Sequence, residues 1–578
     1  MTHLKRMLWT ALITLMPLIA LAQPARPTYR SYDELTKALK QLEARYKEIV
    51  HLESIGKTLE GRDIWAVGLR KGDPAQHRAL LLVAGVEATQ LAGTETAMLA
   101  VEYFASNYGQ LEPITQLLNA ATLYVIPQAS PDAAQSFFAT PRREKSTNGR
   151  PADDDRDGAT DEDDCEDLNG DDLITLMRVK DPQGEWMVHP DDPRAMKRVV
   201  RAKNERGQYK LYREGIDNDK DEGWNEDPAG GVHFNKNFAF QYEYFAEGSG
   251  PYQVSEAETR AVADFVFSHP SISVIVSFSS NDNLMKPWKS DPREQAGEEG
   301  RRVITSVPAA DEAYYQFVAK NFREITGLDA APKPEKGNGC FSDWAYYHAG
   351  RWSFSVLPWW ATEGKAPRDS GVSTAAKPPG TAGTSRDGKE EEQDDESAVM
   401  VRTLRWYDAS GDTTAFVKWK KIAHPDFPGK EVEIGGLRPF ALQNPPPESL
   451  LVRARAFQTF LADLAGKLPS VSVGNIRLEA LKSGVYRLTV DVVNHGYFPT
   501  NNTLGHRLRW VRDVALSLEL AEGQSVAGGN VKQVLEPIGG NGGSQTVSWI
   551  VVAPPGSALT VVAESPACGR SSQRVDLR

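Results

Sequence analysis

Cysteine is nearly absent. Cys165, Cys340 and Cys568 are the only three in 578 residues, an odd count that implies no disulfide framework. Positive charge is short too. Lys and Arg number 66 against 78 Asp and Glu, a net charge of −12. That argues against a nucleic-acid-binding protein, which needs a basic face. Long apolar runs are confined to the N-terminus. Lys5 and Arg6 precede an apolar run over residues 7–21, and Ala20-Leu-Ala22 gives a small-residue cleavage signal before Gln23. Residues 1–22 therefore read as a secretory signal peptide, too short and too quickly followed by polar sequence for a membrane anchor. No later run predicts a membrane span, so the mature chain is expected to be secreted or periplasmic.

The rest of the chain has globular composition, 40% hydrophobic and 25% charged, and is long enough for two or three domains. Ser31-Tyr-Asp-Glu34 is a capping-box pattern that opens a helix. The apolar run 80–84 reads as a buried strand that Gly85 breaks, with a helical pattern after it. Further strands are expected at 121–126, 272–277 and 352–357, with helices between. This alternation predicts an α/β fold with a mixed sheet, the Leu81, Ala121, Ile272 and Trp352 strands at its centre. Ser255 and Glu258 read as the capping box of another helix. Residues 362–393, rich in Gly, Pro, Ser, Thr, Lys and Glu, read as a flexible insertion. Beyond Pro469 the period changes to two. Tyr486, Leu488, Val490 and Val492 alternate with polar residues, so 469–578 should form a β-sandwich of immunoglobulin-like type.

Residues 150–230 form an acidic insertion. Asp153, Asp155, Asp157, Gly158, Asp161 and Asp164 fall at positions 1, 3, 5, 6, 9 and 12 of a twelve-residue loop, the spacing with which oxygen ligands wrap calcium. Asp167, Asn169 and Asp171 begin a second such loop, with Asp172 replacing its glycine and Arg178 its closing acid. Asp217, Asp219, Asp221, Asn225 and Asp227 suggest a third. Calcium is the cofactor these loops predict; a solvated acidic loop is the alternative.

Glu87 and Gln90 lie on the turn that leaves the 80–84 strand, where α/β sheets collect ligands and catalytic groups. Two side chains three apart on a turn can converge on one centre. The stretch Gly85-Val-Glu87-Ala-Thr-Gln90-Leu-Ala-Gly93-Thr-Glu95 resembles the metal-binding turn of the zinc metallocarboxypeptidases, the carboxypeptidase A family. Gly231-Val-His-Phe-Asn235-Lys236-Asn-Phe238 resembles that family's Gly-Val-Asp-Leu-Asn-Arg-Asn-Phe segment, and Ser130-Pro-Asp132-Ala its Asn-Pro-Asp-Gly turn. The resemblance covers residues 29–465. It implies a carboxypeptidase-like mixed sheet flanked by helices, a peptide or peptidoglycan-peptide ligand, and a zinc site.

Position by position, the resemblance places Glu87 at the family's zinc histidine, Gln90 at its zinc glutamate, Ser279 at its second histidine and Leu357 at its catalytic glutamate. It assigns Asn235 and Lys236 to the substrate's terminal carboxylate, and puts Arg142 or Arg143 where an arginine polarises the scissile carbonyl. One carboxylate with neutral oxygens suits zinc poorly, and a leucine cannot act as a general base. Zinc is therefore not expected. Three readings stand: a secreted non-catalytic homologue that binds peptide C-termini or a partner protein in the former cleft; an active zinc carboxypeptidase using shifted ligands, such as Glu87 with Asp282 or His233; and a calcium-stabilised structural protein.

Overall fold

The computed structural model describes residues 29–153, 157–292, 304–328, 330–335, 337–362 and 396–578. The signal-peptide stretch, Asp155 and nearly all of the 362–393 insertion lie outside the described residues. Helix α1 (Tyr32–Arg45) carries the expected capping box, with both reciprocal bonds between Ser31 and Glu34 formed.

The main sheet has six strands: β1 (Val50–Lys57), β2 (Asp63–Leu69), β3 (Arg78–Val83), β4 (Ala121–Ile126), β9 (Ile272–Phe278) and β10 (Trp352–Val356). Their order is β1-β2-β4-β3-β9-β10. The first two strands pair antiparallel, and β4, β3, β9 and β10 run parallel. The run in β3 is continuous rather than alternating because both of its faces are buried. Leu80 and Leu82 enter one core with Val101 and Phe104 of α2 (Leu91–Asn107), and Leu81 and Val83 enter the opposite core.

The Trp352 strand is a sheet edge rather than a central strand. It is fully buried nonetheless. The Asn283 side chain bonds both Ser353 O and Ser355 N, and Ser355 O accepts from the backbone of Asn283 and Leu284. That short loop satisfies the free edge as a strand would. Phe498 of the C-terminal domain closes the corner, 5.2 Å from the Trp352 ring.

The acidic insertion is more structured than its composition suggests. It supplies β5 (Leu176–Lys180), β6 (Trp186–Val188), β7 (Met196–Arg198) and β8 (Tyr209–Arg213). With β11 (Phe416–Ile422) and β12 (Val432–Leu437) these form a second sheet, in the order β11-β12-β5-β8-β6-β7. The insertion leaves and rejoins the fold at one point. Asn148 N donates to Val232 O, and Gly231 packs so closely on Ala152 that a Cβ there would meet Ala152 Cβ at 2.2 Å.

The C-terminal domain is two four-stranded antiparallel sheets, one of β13 (Val471–Lys482), β14 (Val485–Asn494), β18 (Ser544–Val552) and β16 (Ser525–Gly528), the other of β17 (Lys532–Val534), β15 (Ala515–Glu519), β19 (Ala558–Ser565) and β20 (Gly569–Asp576). Alternate residues, among them Leu488, Val490, Leu516 and Trp549, fill the core between them. No helix among the described residues is long and apolar enough to cross a membrane.

Candidate functional site

Strands β3, β9 and β10 are parallel, so their C-terminal ends reach one edge of the sheet. The chain leaves β3 through Gly85, whose φ of +68° a side chain would strain and where a Cβ would fall 1.7 Å from Gln128 Oε1. Glu87 follows on that turn. Ser279 is the first residue past β9, and its N–H donates to Val356 O at the end of β10, next to Leu357.

Glu87 is the hub. Its Oε1 accepts from Asn235 Nδ2 at 2.6 Å and Ser279 Oγ at 3.1 Å, with Ser280 Oγ at 3.4 Å. Its Oε2 faces His233 Nε2 at 3.3 Å. His233 Nδ1 accepts from Asn235 N at 3.1 Å, so the neutral ring carries its proton on Nε2, toward Glu87. Burial pushes the Glu87 carboxyl up, but the bonds from His233, Asn235 and Ser279 outweigh it, and the group ends below its ordinary value. A carboxylate this well donated to stays ionised at neutral pH.

Asn281 Oδ1 closes the network, accepting from Asn235 Nδ2 at 2.8 Å and lying 2.9 Å from Ser279 Oγ, whose single proton goes to Glu87. The remaining Asn235 oxygen accepts from Phe341 N. Nothing in the sequence singled out Asn281; only its place two residues past Ser279 hinted at it.

Gln90 is the N-cap residue of α2 and makes no side-chain cap bond; its Oε1 is buried without a hydrogen-bond partner. Leu357 is half-buried against the main core. Lys236 is exposed, and its Nζ donates to Glu247 O at 3.2 Å. Asp282 is buried, and burial pushes it up to about 7 although Met285 N and Leu284 N both donate to its Oδ1. Arg142 and Arg143 find their partners away from this network. The Arg142 guanidinium lies 4.7 Å from the Phe137 ring centre, and Arg143 pairs with Asp164.

The zinc carboxypeptidase family profile matches residues 35–172 and 193–359, more than half of the chain. The chain belongs to the zinc carboxypeptidase family. Carboxypeptidase M of Mus musculus is 29% identical over 133 residues, 22% of this chain and 29% of that protein. Carboxypeptidase D of Anas platyrhynchos is 28% identical over 111 residues, 18% of this chain and 8% of that protein. The matched stretch thus spans less than a third of either relative. Among solved structures, thrombin activatable fibrinolysis inhibitor aligns over 60% of this chain and 71% of its own, at 14% identity and a TM-score of 0.37. Residues 470–576 match a domain of unknown function.

Membership raises the question of zinc. A zinc site needs at least three imidazole, thiolate or carboxylate ligands. Around Glu87 there are two such groups, Glu87 and His233, and among the described residues no third joins them. Both Glu87 oxygens also face internal donors. The donor set does not fit zinc.

The acidic insertion does bring carboxylates together. Asp157, Glu162 and Asp219 form one group, Asp163, Asp219 and Glu226 a second, and Asp217, Asp219 and Asp221 a third, each with ligand atoms within 4.8 Å of one another. The first and third sequence loops therefore meet at Asp219 instead of acting separately. Glu162, Asp163 and Glu226 enter these groups without having been singled out, because they fall between the alternating loop positions. Asp153 and Asp161 bond backbone N–H groups of Gly158, Ala152 and Gly230. The second loop is closed on itself, with Asp167 accepting from the backbone of Gly170, Asp171 and Asp172, and Asp171 from Leu173. Asn169 N donates to Glu214 Oε1.

Proposed function

We propose that this chain is an exported, non-catalytic member of the zinc carboxypeptidase family that holds peptides in its cleft without cutting them. The observation that carries the reading is the occupied Glu87 carboxylate. Asn235, Ser279 and His233 supply from within the protein the positive edge that a metal would otherwise supply. Hydrolysis also needs a group to take a proton from water, and the strand end bears Leu357.

The same charge constrains the ligand. An ionised Glu87 repels a peptide carboxylate brought to Asn235, whose amide is already committed. A bound peptide therefore turns a backbone N–H or a basic side chain to Glu87. Its terminal carboxylate goes to Lys236, which among the described residues has no carboxylate partner. The test is zinc analysis of the purified mature protein, with calorimetric titration of a basic-ended peptide in free-acid and amidated forms. Substoichiometric zinc, intact peptide and tighter binding of the free acid are expected. Stoichiometric zinc with release of C-terminal residues, abolished by Glu87→Ala, overturns the reading.

A structural role for calcium in the insertion is the second part of the proposal. All four carboxylate oxygens of Glu162 and Glu226 are shielded from solvent and lack a hydrogen-bond donor. Burial and the Asp227 carboxylate push Glu162 up to about 7, and burial and Asp163 push Glu226 up to about 8. Like charges held this close call for a cation between them. Calcium there ties residues 157–163 to 217–226, next to the strap that delivers His233 and Asn235 to Glu87. Fractionation of the source cells tests the export that residues 1–22 imply.

A further inference from the structure

A cavity lies away from the Glu87 network. It has a volume of about 430 Å³ and is open to solvent. None of Glu87, Ser279, Asn235 or Leu357 lines it. Arg142 and Arg438 do, and each comes from a fixed backbone. Arg142 N donates to Asp172 O, and Arg142 O accepts from Ile174 N. Arg438 N donates to Ala415 O, and its Nη1 to Thr414 Oγ1 at 2.9 Å.

The two guanidiniums are close enough to disfavour one another. Burial first, and then the Arg438 charge, hold Arg142 below its ordinary value. Among the described residues neither forms an ion pair with a carboxylate, and Arg142 Nε is buried with no partner at all. Two neighbouring cations with no carboxylate paired to either are an unfavourable arrangement that a bound oxyanion relieves. The planar fork of arginine suits carboxylate or phosphate oxygens in particular.

The walls are apolar. Phe137 packs edge-on against Phe440 with ring centres 5.0 Å apart, and Phe138 and Tyr29 extend the surface. Phe440 has a φ of +68°, a left-handed conformation that is strained for a bulky residue. Glu144 holds it there by accepting from its backbone N–H at 2.5 Å. Strain of this kind persists only where the surroundings fix it, so the wall behind the cavity is rigid. Three acids share the rim. Glu34 is turned to its own cap at Ser31, Asp412 accepts from Thr414, and Glu448 is exposed to solvent.

We infer that this cavity binds a small ligand with one oxyanion head, held by Arg142 and Arg438, and an aromatic body against Phe137 and Phe138, which the buried Phe440 ring supports from behind. The site also reaches the Glu87 turn. Asn444, on its wall, accepts from Ala92 N and donates to Thr89 O, fixing the segment between Glu87 and α2.

Calorimetric titration of the full mature chain with benzoate, phenyl phosphate and neutral benzamide tests the inference. One anion is expected to saturate a single site while benzamide does not, and the better anion tells carboxylate from phosphate. Arg438→Gln or Arg142→Gln should weaken binding about tenfold or more, and Arg438→Lys by less, since the charge remains without the fork. Failure of both anions to saturate at about 10 mM, or undiminished binding by a folded Gln variant, overturns it. A variant-free measurement guards against misfolding: the bound anion should shield Arg142 and Arg438 from phenylglyoxal in peptide mass spectra. Equal modification with and without the anion also overturns the inference.

Discussion

Asn235 Nδ2 donates to Glu87 Oε1 at 2.6 Å across 148 residues of sequence. That bond joins the turn after β3 to the segment that leaves the acidic insertion, and the rest of the site is arranged around it.

Asn235→Ala should destabilise the fold by about 1.5–3 kcal/mol, the range for a hydrogen bond to a charged group. It also strips Phe341 N of its acceptor. The sign of the pH dependence follows from Glu87. Its folded carboxyl lies below the unfolded value, so its stabilisation is present above the unfolded value and is lost as pH falls through the folded one. Urea denaturation of wild type and variant should therefore differ most near neutrality and converge in acid. A gap that is constant with pH would rule out the Glu87 network as the cause.

Asp282 behaves in the opposite sense. Burial raises it from 3.8 to about 7, so the unfolded chain gives up its proton first. Stability is then lost as pH rises from about 4 to about 7, by on the order of 4 kcal/mol in all, and is level above. Asp282→Asn should match wild type below pH 4 and exceed it at pH 8. Glu258 offers a second case, raised to about 7 by burial, with neither oxygen bonded. It does not form the capping box expected with Ser255; the helix starts at Ala257, and Glu256 is its N-cap residue. Equal melting temperatures of Asp282→Asn and wild type at pH 8 would refute the assignment.

Calcium should raise the melting temperature of the chelated protein. A ligand at 100 times its dissociation constant adds about 2.7 kcal/mol if only the folded state binds it. Asp219 is common to all three carboxylate groups, so Asp219→Asn should remove most of the increment, and Asp167→Asn little. An identical melting curve in chelator and in millimolar calcium would leave the insertion as a solvated acidic loop.

Phe498→Ala should loosen the C-terminal domain from the main sheet. The ring packs on Trp352 at 5.2 Å and on Phe354 at 6.1 Å, and it is fully buried. Removing it costs about 3–5 kcal/mol. Proteolysis between residues 466 and 471 should quicken in the variant; unchanged cleavage would mean that the Asp311 bonds to Thr503 hold the domains without it.

Sequence determined the elements whose signal is local. The apolar run in β3, the Ser31 capping box and the period-two tail each repeat within a few residues, because helix and strand geometry set those periods. The segment from Gly231 to Phe238 was enough to suggest the family fold. Tertiary structure alone decided the partnerships. Parallel β3, β9 and β10 bring Glu87, Ser279 and Leu357 to one edge, and a return of the chain beside Ala152 carries Asn235 to Glu87. The same closure seats Arg142 beside Arg438, joins two acidic loops at Asp219 and leaves the Trp352 strand at a sheet edge. Such contacts span from about sixty to about three hundred residues. No periodicity reaches that far, since each depends on where whole strands pack rather than on what lies next to it in the chain.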